Sequence, residues 1–324
     1  MPETILETIE LTKIFTARHG VFGTEKIETR AIDGVSFHLE AGETLGLVGE
    51  SGCGKSTLGL TVLRLYEADS GRIIFDGNDI TNANEKQLKP IRKQMQMIFQ
   101  DPFAALDPRL TVEQIITEPL EIHNIGTKAE RTKLAAELLE KVGLSGEDLY
   151  RFPSEFSGGQ QQRIGIARAL ALKPKLIIAD EPVSALDVSV QAQILNLLRD
   201  LQDEFGLAYL FISHNIAVTA FMSRRIGVMY LGKLVEIGTS EQITNAPRHP
   251  YTRELLAAIP EPDPSKQTSE TDILKSGADE IDYEKPNGCA FYKRCPIAEE
   301  ICRTNEPQLR EIDENQEVAC HFAD

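Results

Sequence analysis

The feature that most constrains this 324-residue chain is a short apolar run that enters a glycine loop and leaves it as a helix. Gly42-Glu43-Thr44-Leu45-Gly46-Leu47-Val48-Gly49 reads as a strand, and Gly49-Glu50-Ser51-Gly52-Cys53-Gly54-Lys55-Ser56 is a G-x-x-x-x-G-K-S loop. From Lys55 to Tyr66, Leu58, Val62, Leu63 and Leu65 recur at helical spacing. Glycines at 49, 52 and 54 let backbone N–H groups curl around an anion at the helix start, where the dipole also favours negative charge. In such a loop Lys55 reaches the β- and γ-phosphates of a nucleoside triphosphate and the Ser56 hydroxyl ligates Mg²⁺, with Thr57 beside it. Cys53 reads as a small filler of the loop, not as a reactive thiol.

Further apolar runs place that loop in a layered fold. Lys175 to Asp180 and Ala208 to Ser213 suit strands of a parallel sheet covered on both faces, and Val190 to Phe205 between them reads as a helix. Strand–helix–strand alternation gives an α/β core. Thr111 to Val142 reads as helix throughout, an inserted helical subdomain at about 101–160. Val228 to Ile237 reads as a hairpin turning at Gly232. Pro260 to Lys285, rich in Pro, Ser, Asp and Glu, reads as a linker, so the expected division is 1–260, 261–285 and 286–324.

Composition narrows the classes of function. The net charge of −16 argues against nucleic acid as the main partner, because phosphate backbones need basic faces. Sixteen acidic and seven basic residues follow Pro260, which marks a boundary there. No run of eighteen apolar residues occurs, and Met1-Pro2-Glu3-Thr4 lacks the profile of a secretory signal, so a cytoplasmic location is expected.

Two motifs downstream carry chemistry. Asp180 ends an apolar strand, where it can hold Mg²⁺ through water, and Glu181 follows, placed to orient and deprotonate an attacking water. Ser157-Gly158-Gly159-Gln160 opens a helix containing Ile164, Ile166, Ala167, Ala169 and Leu170. It is either an ordinary glycine-rich cap or a second bare-backbone anion site. One chain needs only one cradle for one γ-phosphate, so the second reading assigns this site to a nucleotide on another subunit.

In this order the motifs resemble those of ATP-binding-cassette ATPases over roughly residues 4–260. The resemblance implies a P-loop NTPase fold with a RecA-like parallel-sheet core, an antiparallel β subdomain, an inserted helical subdomain and, here, a small Cys-rich extension. It implies ATP and Mg²⁺ as ligands and a head-to-tail dimer in which Ser157-Gly158-Gly159-Gln160 closes on the partner's ATP. It further implies that Phe15 stacks on adenine, that Gln100 touches Mg²⁺ and the attacking water, that Asp187 lies across the dimer, and that His214 contacts the γ-phosphate. Phe15 also suits a core position, and His214 a capping one. Asn215 stands where many relatives carry Asp.

Asp101-Pro102-Phe103-Ala104-Ala105-Leu106-Asp107-Pro108-Arg109, His249-Pro250-Tyr251-Thr252-Arg253-Glu254-Leu255-Leu256 and the segment from Cys289 to His321 are similar to the ATPases of oligopeptide and dipeptide permeases. That similarity implies two transmembrane permease subunits, a non-identical ATPase partner, an extracytoplasmic solute-binding protein acting indirectly, and a peripheral place on the cytoplasmic face of the membrane. Uptake of nickel, glutathione or an oligosaccharide, or a redox-responsive role outside transport, are the alternatives.

Cys289, Cys295, Cys302 and Cys320 fall within 32 residues with spacing C-x₅-C-x₆-C-x₁₇-C. In a reducing compartment this clustering favours a metal over disulfides, and the lack of a C-x₂-C knuckle disfavours zinc. Four thiolates on a segment too short for its own core suit a [4Fe–4S] cluster, which the resemblance also implies; zinc and free thiols are the alternatives. All nucleotide motifs precede Ile216, so hydrolysis by the isolated chain is expected to be indifferent to the tail.

Overall fold

A computed structural model describes residues 3–19, 25–258 and 287–323. The expected linker at 261–285 lies outside them. Elements in chain order are β1 (Thr4–His19), β2 (Glu25–Glu40), β3 (Thr44–Val48), α1 (Lys55–Val62), β4 (Ser70–Phe75), β5 (Asn78–Asp79), α2 (Glu85–Arg92), β6 (Met95–Ile98) and α3 (Pro102–Ala105). Next come α4 (Val112–Ile122), α5 (Lys128–Lys141), α6 (Gly158–Leu170), β7 (Leu176–Asp180), α7 (Val188–Phe205), β8 (Ala208–Ile212) and α8 (Ile216–Met222). The chain finishes with β9 (Arg225–Tyr230), β10 (Lys233–Thr239), α9 (Ser240–Asn245), α10 (Pro250–Ala257), α11 (Glu300–Thr304), β11 (Arg310–Asp313) and β12 (Gln316–Val318).

Among the described residues the central sheet runs β11-β12-β10-β9-β3-β8-β7-β6. Its β6, β7, β8, β3 and β9 are parallel neighbours, and every residue of β3, β7 and β8 is buried. That burial explains the continuous apolar runs, because helices cover both faces of a parallel sheet. One core joins the face bearing α6 and α7 to the helical region through Ile177, Ala179, Ile194, Leu198, Ile116, Leu139 and Ile164. A second joins α1 on the opposite face to an antiparallel sheet, β2-β1-β4-β5. Because β3 and β7 end on the same side, the glycine loop and Glu181 leave the sheet together.

The helical insertion is broken where the periodicity predicts continuity. After α4, Asn124 and Gly126 take φ values of 53° and 68°, and Thr127 caps α5 by accepting from Glu130 N–H while Glu130 accepts from Thr127 N–H. A Thr-x-x-Glu capping box starts a helix, and its polar residues interrupt nothing in an apolar stripe, so periodicity alone passes over it. Helix α1 likewise ends at Val62 instead of Tyr66. The hairpin at Gly232 is present as β9 and β10.

The Cys-rich tail packs against the α/β body. Its β12 pairs with β10, Glu236 facing Val318 and Ile237 facing Glu317, so the tail adds two strands to the edge of the main sheet. Phe291, 1% exposed, enters a core with Tyr230, Tyr251 and Val235. The tail thus borrows the apolar surface it lacks.

Candidate functional site

Close approach of other backbone shapes the glycine loop. A Cβ on Gly49 would meet Met229 O at 2.2 Å, and one on Gly54 would meet Ala31 O at 2.0 Å; their φ values are 155° and 108°. Gly52 has space around it but takes φ 80°, which L side chains avoid. Buried Lys55 donates from Nζ to the carbonyls of Gly49 and Glu50 at 2.8 and 2.9 Å, and Cys53 is buried beside it as filler, its thiol pKa raised chiefly by burial. Ser51 is exposed, whereas Glu50 is engaged elsewhere: its N–H donates to Tyr251 Oη at 2.9 Å and its carboxylate pairs with Arg294. Thr57 is the third residue of α1, and its carbonyl accepts from Thr61 Oγ1.

Ser56 Oγ donates to Asp180 Oδ1 at 2.9 Å, which joins the helix start to the end of β7. Burial is the main reason the Asp180 carboxyl pKa is raised; adjacent Glu181 adds to the rise, while Ser56 and Lys55 oppose it. Glu181 sits at φ 45°, a strained value for a residue with a side chain, and its N–H donates to Ile212 O. From there its Oε2 accepts from Gln100 Nε2 at 3.0 Å and lies 3.2 Å from His214 Nδ1. Two residues from two distant chain segments therefore converge on one carboxylate oxygen of a third. Asn215 caps α8 by accepting from Ala217 and Val218 N–H, which an aspartate does equally well.

Phe15 is 38% exposed, with Tyr66 edge-on at 5.4 Å and Lys13 Nζ 5.5 Å from its ring centre, so a face remains for a flat ligand. Ser157 caps α6 in a box with Gln160. The two glycines that follow differ: a Cβ on Gly159 would meet Val190 Cγ1 at 2.5 Å, whereas one on Gly158 would meet only ordinary contacts from 3.6 Å. Packing within the chain accounts for Gly159 alone. Asp187 begins α7 exposed, and its carboxylate makes no capping hydrogen bond. No hydrogen bond among the described residues links the Ser157–Gln160 turn to the phosphate loop.

Sequence reasoning missed the role of the His249–Thr252 turn. Glu236, 0% exposed, accepts from Arg248 N–H at 2.8 Å, His249 N–H at 3.0 Å, Thr252 Oγ1 at 2.5 Å and Gln316 Nε2 at 2.8 Å. Four donors satisfy the buried carboxylate and tie α10 and β12 to β10. The available signal was a glutamate inside the apolar run Val235-Glu236-Ile237.

The tail cysteines lie near one another, since Cys302, Cys295 and Cys320 all act on the Cys289 thiol: burial and then these neighbours push Cys289 up to about 11, and burial likewise raises Cys295 and Cys320. None of the five cysteines forms a disulfide. Among the described residues no group of three or more His, Cys, Asp or Glu side chains is placed to hold a metal ion. No helix among them is long and apolar enough to cross a membrane.

Residues 32–184 match the family described as ABC transporter, and residues 235–302 match the oligopeptide/dipeptide transporter C-terminal region. The chain is 51% identical to the oligopeptide transport ATP-binding protein AppF of Bacillus subtilis (strain 168), over 99% of this chain and 98% of that one. It is 50% identical to the probable peptide ABC transporter ATP-binding protein y4tS of Sinorhizobium fredii (strain NBRC 101917 / NGR234), over 99% and 90%. The dimeric, post-hydrolysis structure of the ATP-binding cassette MJ0796 bound to ADP and Pi superposes with a TM-score of 0.64 at 30% identity, over 73% of this chain and 99% of that one.

Proposed function

The chain belongs to the ATP-binding proteins of ABC transporters, and on that premise we propose that it hydrolyses ATP to energise peptide uptake through separate membrane subunits. The observation that carries this reading is the convergence of Gln100 and His214 on Glu181 Oε2 beside the phosphate loop. The loop N–H groups and Lys55 hold the phosphates, and Phe15 offers its exposed face to adenine. The paired hydroxyl and carboxylate of Ser56 and Asp180 are hard oxygen donors, the set that fits Mg²⁺. Bound there, Mg²⁺ neutralises charge on the phosphates. Glu181, oriented by Gln100, takes the proton of the attacking water, and His214 contacts the γ-phosphate.

A neighbouring ATPase subunit, related but not identical, supplies a second Ser-Gly-Gly-Gln turn head to tail. Support comes from Gly158, whose lack of a side chain nothing in its own chain requires, and from the uncommitted carboxylate of Asp187. Exposed Phe99, Phe103, Tyr150 and Phe152 support a surface for the permease subunits, in keeping with a peripheral place at the cytoplasmic face of the membrane.

For the tail we infer one [4Fe–4S] cluster on Cys289, Cys295, Cys302 and Cys320. The donor set supports it, since four gathered thiols couple electrostatically. The transport reading is tested by reconstituting the chain with its membrane subunits. Peptide-stimulated ATP hydrolysis that depends on those subunits supports it, and stimulation by DNA or ribosomes instead would overturn it.

A further inference from the structure

The phosphate loop is gripped from outside by the Cys-rich tail. Arg294, in the tail beside Cys295, makes a bidentate ion pair with Glu50, the second residue of the loop, at 3.0 and 2.8 Å. The same guanidinium bonds Glu254 on α10 and lies over the rings of Tyr230, Tyr251 and Phe291 at 5.7, 5.9 and 5.6 Å. Tyr251, from the same helix as Glu254, takes the Glu50 N–H. Glu50 is therefore held at its side chain by the tail, at its N–H by α10, and at its carbonyl by Lys55.

We propose that Arg294 is a positioning residue of the ATP site, holding the loop in its phosphate-binding shape through Glu50 and thereby making ATP affinity depend on a docked tail. The chemistry of the grip explains why it matters. Lys55 Nζ rests on the carbonyls of Gly49 and Glu50, and those contacts weaken when the amine turns to a phosphate. The loop then depends on holders that ATP does not compete for, and Tyr251 and Arg294 are such holders. Arg294 suits the task because its planar fork matches a carboxylate and is itself fixed by three rings, so little freedom remains to be lost. The motif order in the chain implies a tail independent of the nucleotide site; the Arg294–Glu50 pair connects them. The proposal rests on the ATPase reading and needs no assumption about what the cysteines hold.

The test uses the full chain, with equilibrium binding of a fluorescent ATP analogue, steady-state hydrolysis and thermal melting on each variant. Arg294→Ala raises the Kd and the KM for ATP about tenfold. Its kcat stays within about twofold, since Glu181, Gln100 and His214 lie on other segments. Arg294→Lys, which keeps the charge and loses the fork, falls between it and the parent chain. Adding Glu50→Ala to Arg294→Ala gives little further loss, because the two act as one unit. Unchanged ATP affinity in a folded Arg294→Ala or Arg294→Lys chain, with only the melting temperature lowered, would make Arg294 a structural rivet and overturn the proposal. Fully multiplicative losses in the double variant would overturn the route through Glu50. Loss of all nucleotide binding in the parent chain would instead remove the ATPase reading on which this rests.

Discussion

Gln100 Nε2 donates to Glu181 Oε2 at 3.0 Å across 81 positions of sequence, so the end of β6 and the end of β7 are joined at one carboxylate. The strained φ of 45° at Glu181 aims that carboxylate away from the strand it follows. A glutamine at 181 keeps an oxygen for Gln100 but cannot take a proton. Glu181→Gln is therefore expected to retain ATP binding while kcat falls about 10²- to 10⁴-fold, the usual worth of a general base. Near-parental turnover by this variant in a phosphate-release assay would remove Glu181 from that role.

The two glycines of the Ser157–Gln160 turn should separate under mutation. Gly159→Ala forces a methyl against Val190 and should cost about 1–3 kcal/mol in a denaturant titration. Gly158→Asp meets no such contact and sits at the start of α6, where an acid is favourable, so stability should hold. Its carboxylate should instead prevent nucleotide-driven dimerisation by facing a γ-phosphate. ATP-dependent dimers of unchanged strength in sedimentation would show that Gly158 does not face the partner's nucleotide.

His249 is 1% exposed, and burial lowers its pKa to about 4. Its Nδ1 accepts the Tyr251 N–H, which requires the neutral ring. The unfolded chain binds a proton near pH 6.5 and the folded chain only near 4, so stability falls as pH falls through that window, by up to about 3 kcal/mol. Above pH 6.5 both states are neutral and the contribution is fully present. His249→Asn keeps a capping oxygen and removes the titration. Melting curves of the two proteins should converge as pH is lowered from 6.5 to 4, and parallel curves would assign the acid sensitivity to other groups.

The tail cysteines carry two expectations. Prepared without air, the chain should be brown and hold about four irons and four sulfides. Stoichiometric zinc without sulfide would decide for the rival metal. In metal-free chain, a Cys289 pKa near 11 leaves little thiolate at pH 7.5, so its alkylation should be about two orders of magnitude slower than that of an ordinary thiol. Rapid alkylation there would mean that burial of the thiols does not survive without a bound cation.

The loop at 49–56, the carboxylates at 180 and 181, the turn at 157–160 and the hairpin at Gly232 were legible in the chain because each depends on neighbours in sequence. A strand that stops at glycine, or a box such as Ser157 with Gln160, carries its backbone geometry in a few residues. Even here, a pattern of one period hid the break before Thr127, since a cap is written in polar residues. The contact between Arg294 and Glu50 spans 244 positions and exists only because β12 pairs with β10 and Phe291 enters the core beneath Tyr230 and Tyr251. Local sequence thus determined where a glycine loop opens onto a helix and which carboxylates end the strand beside it. Only tertiary packing decided that an arginine beside Cys295 would pair with a glutamate of that loop, because an ion pair records no trace of its partner in the residues around it.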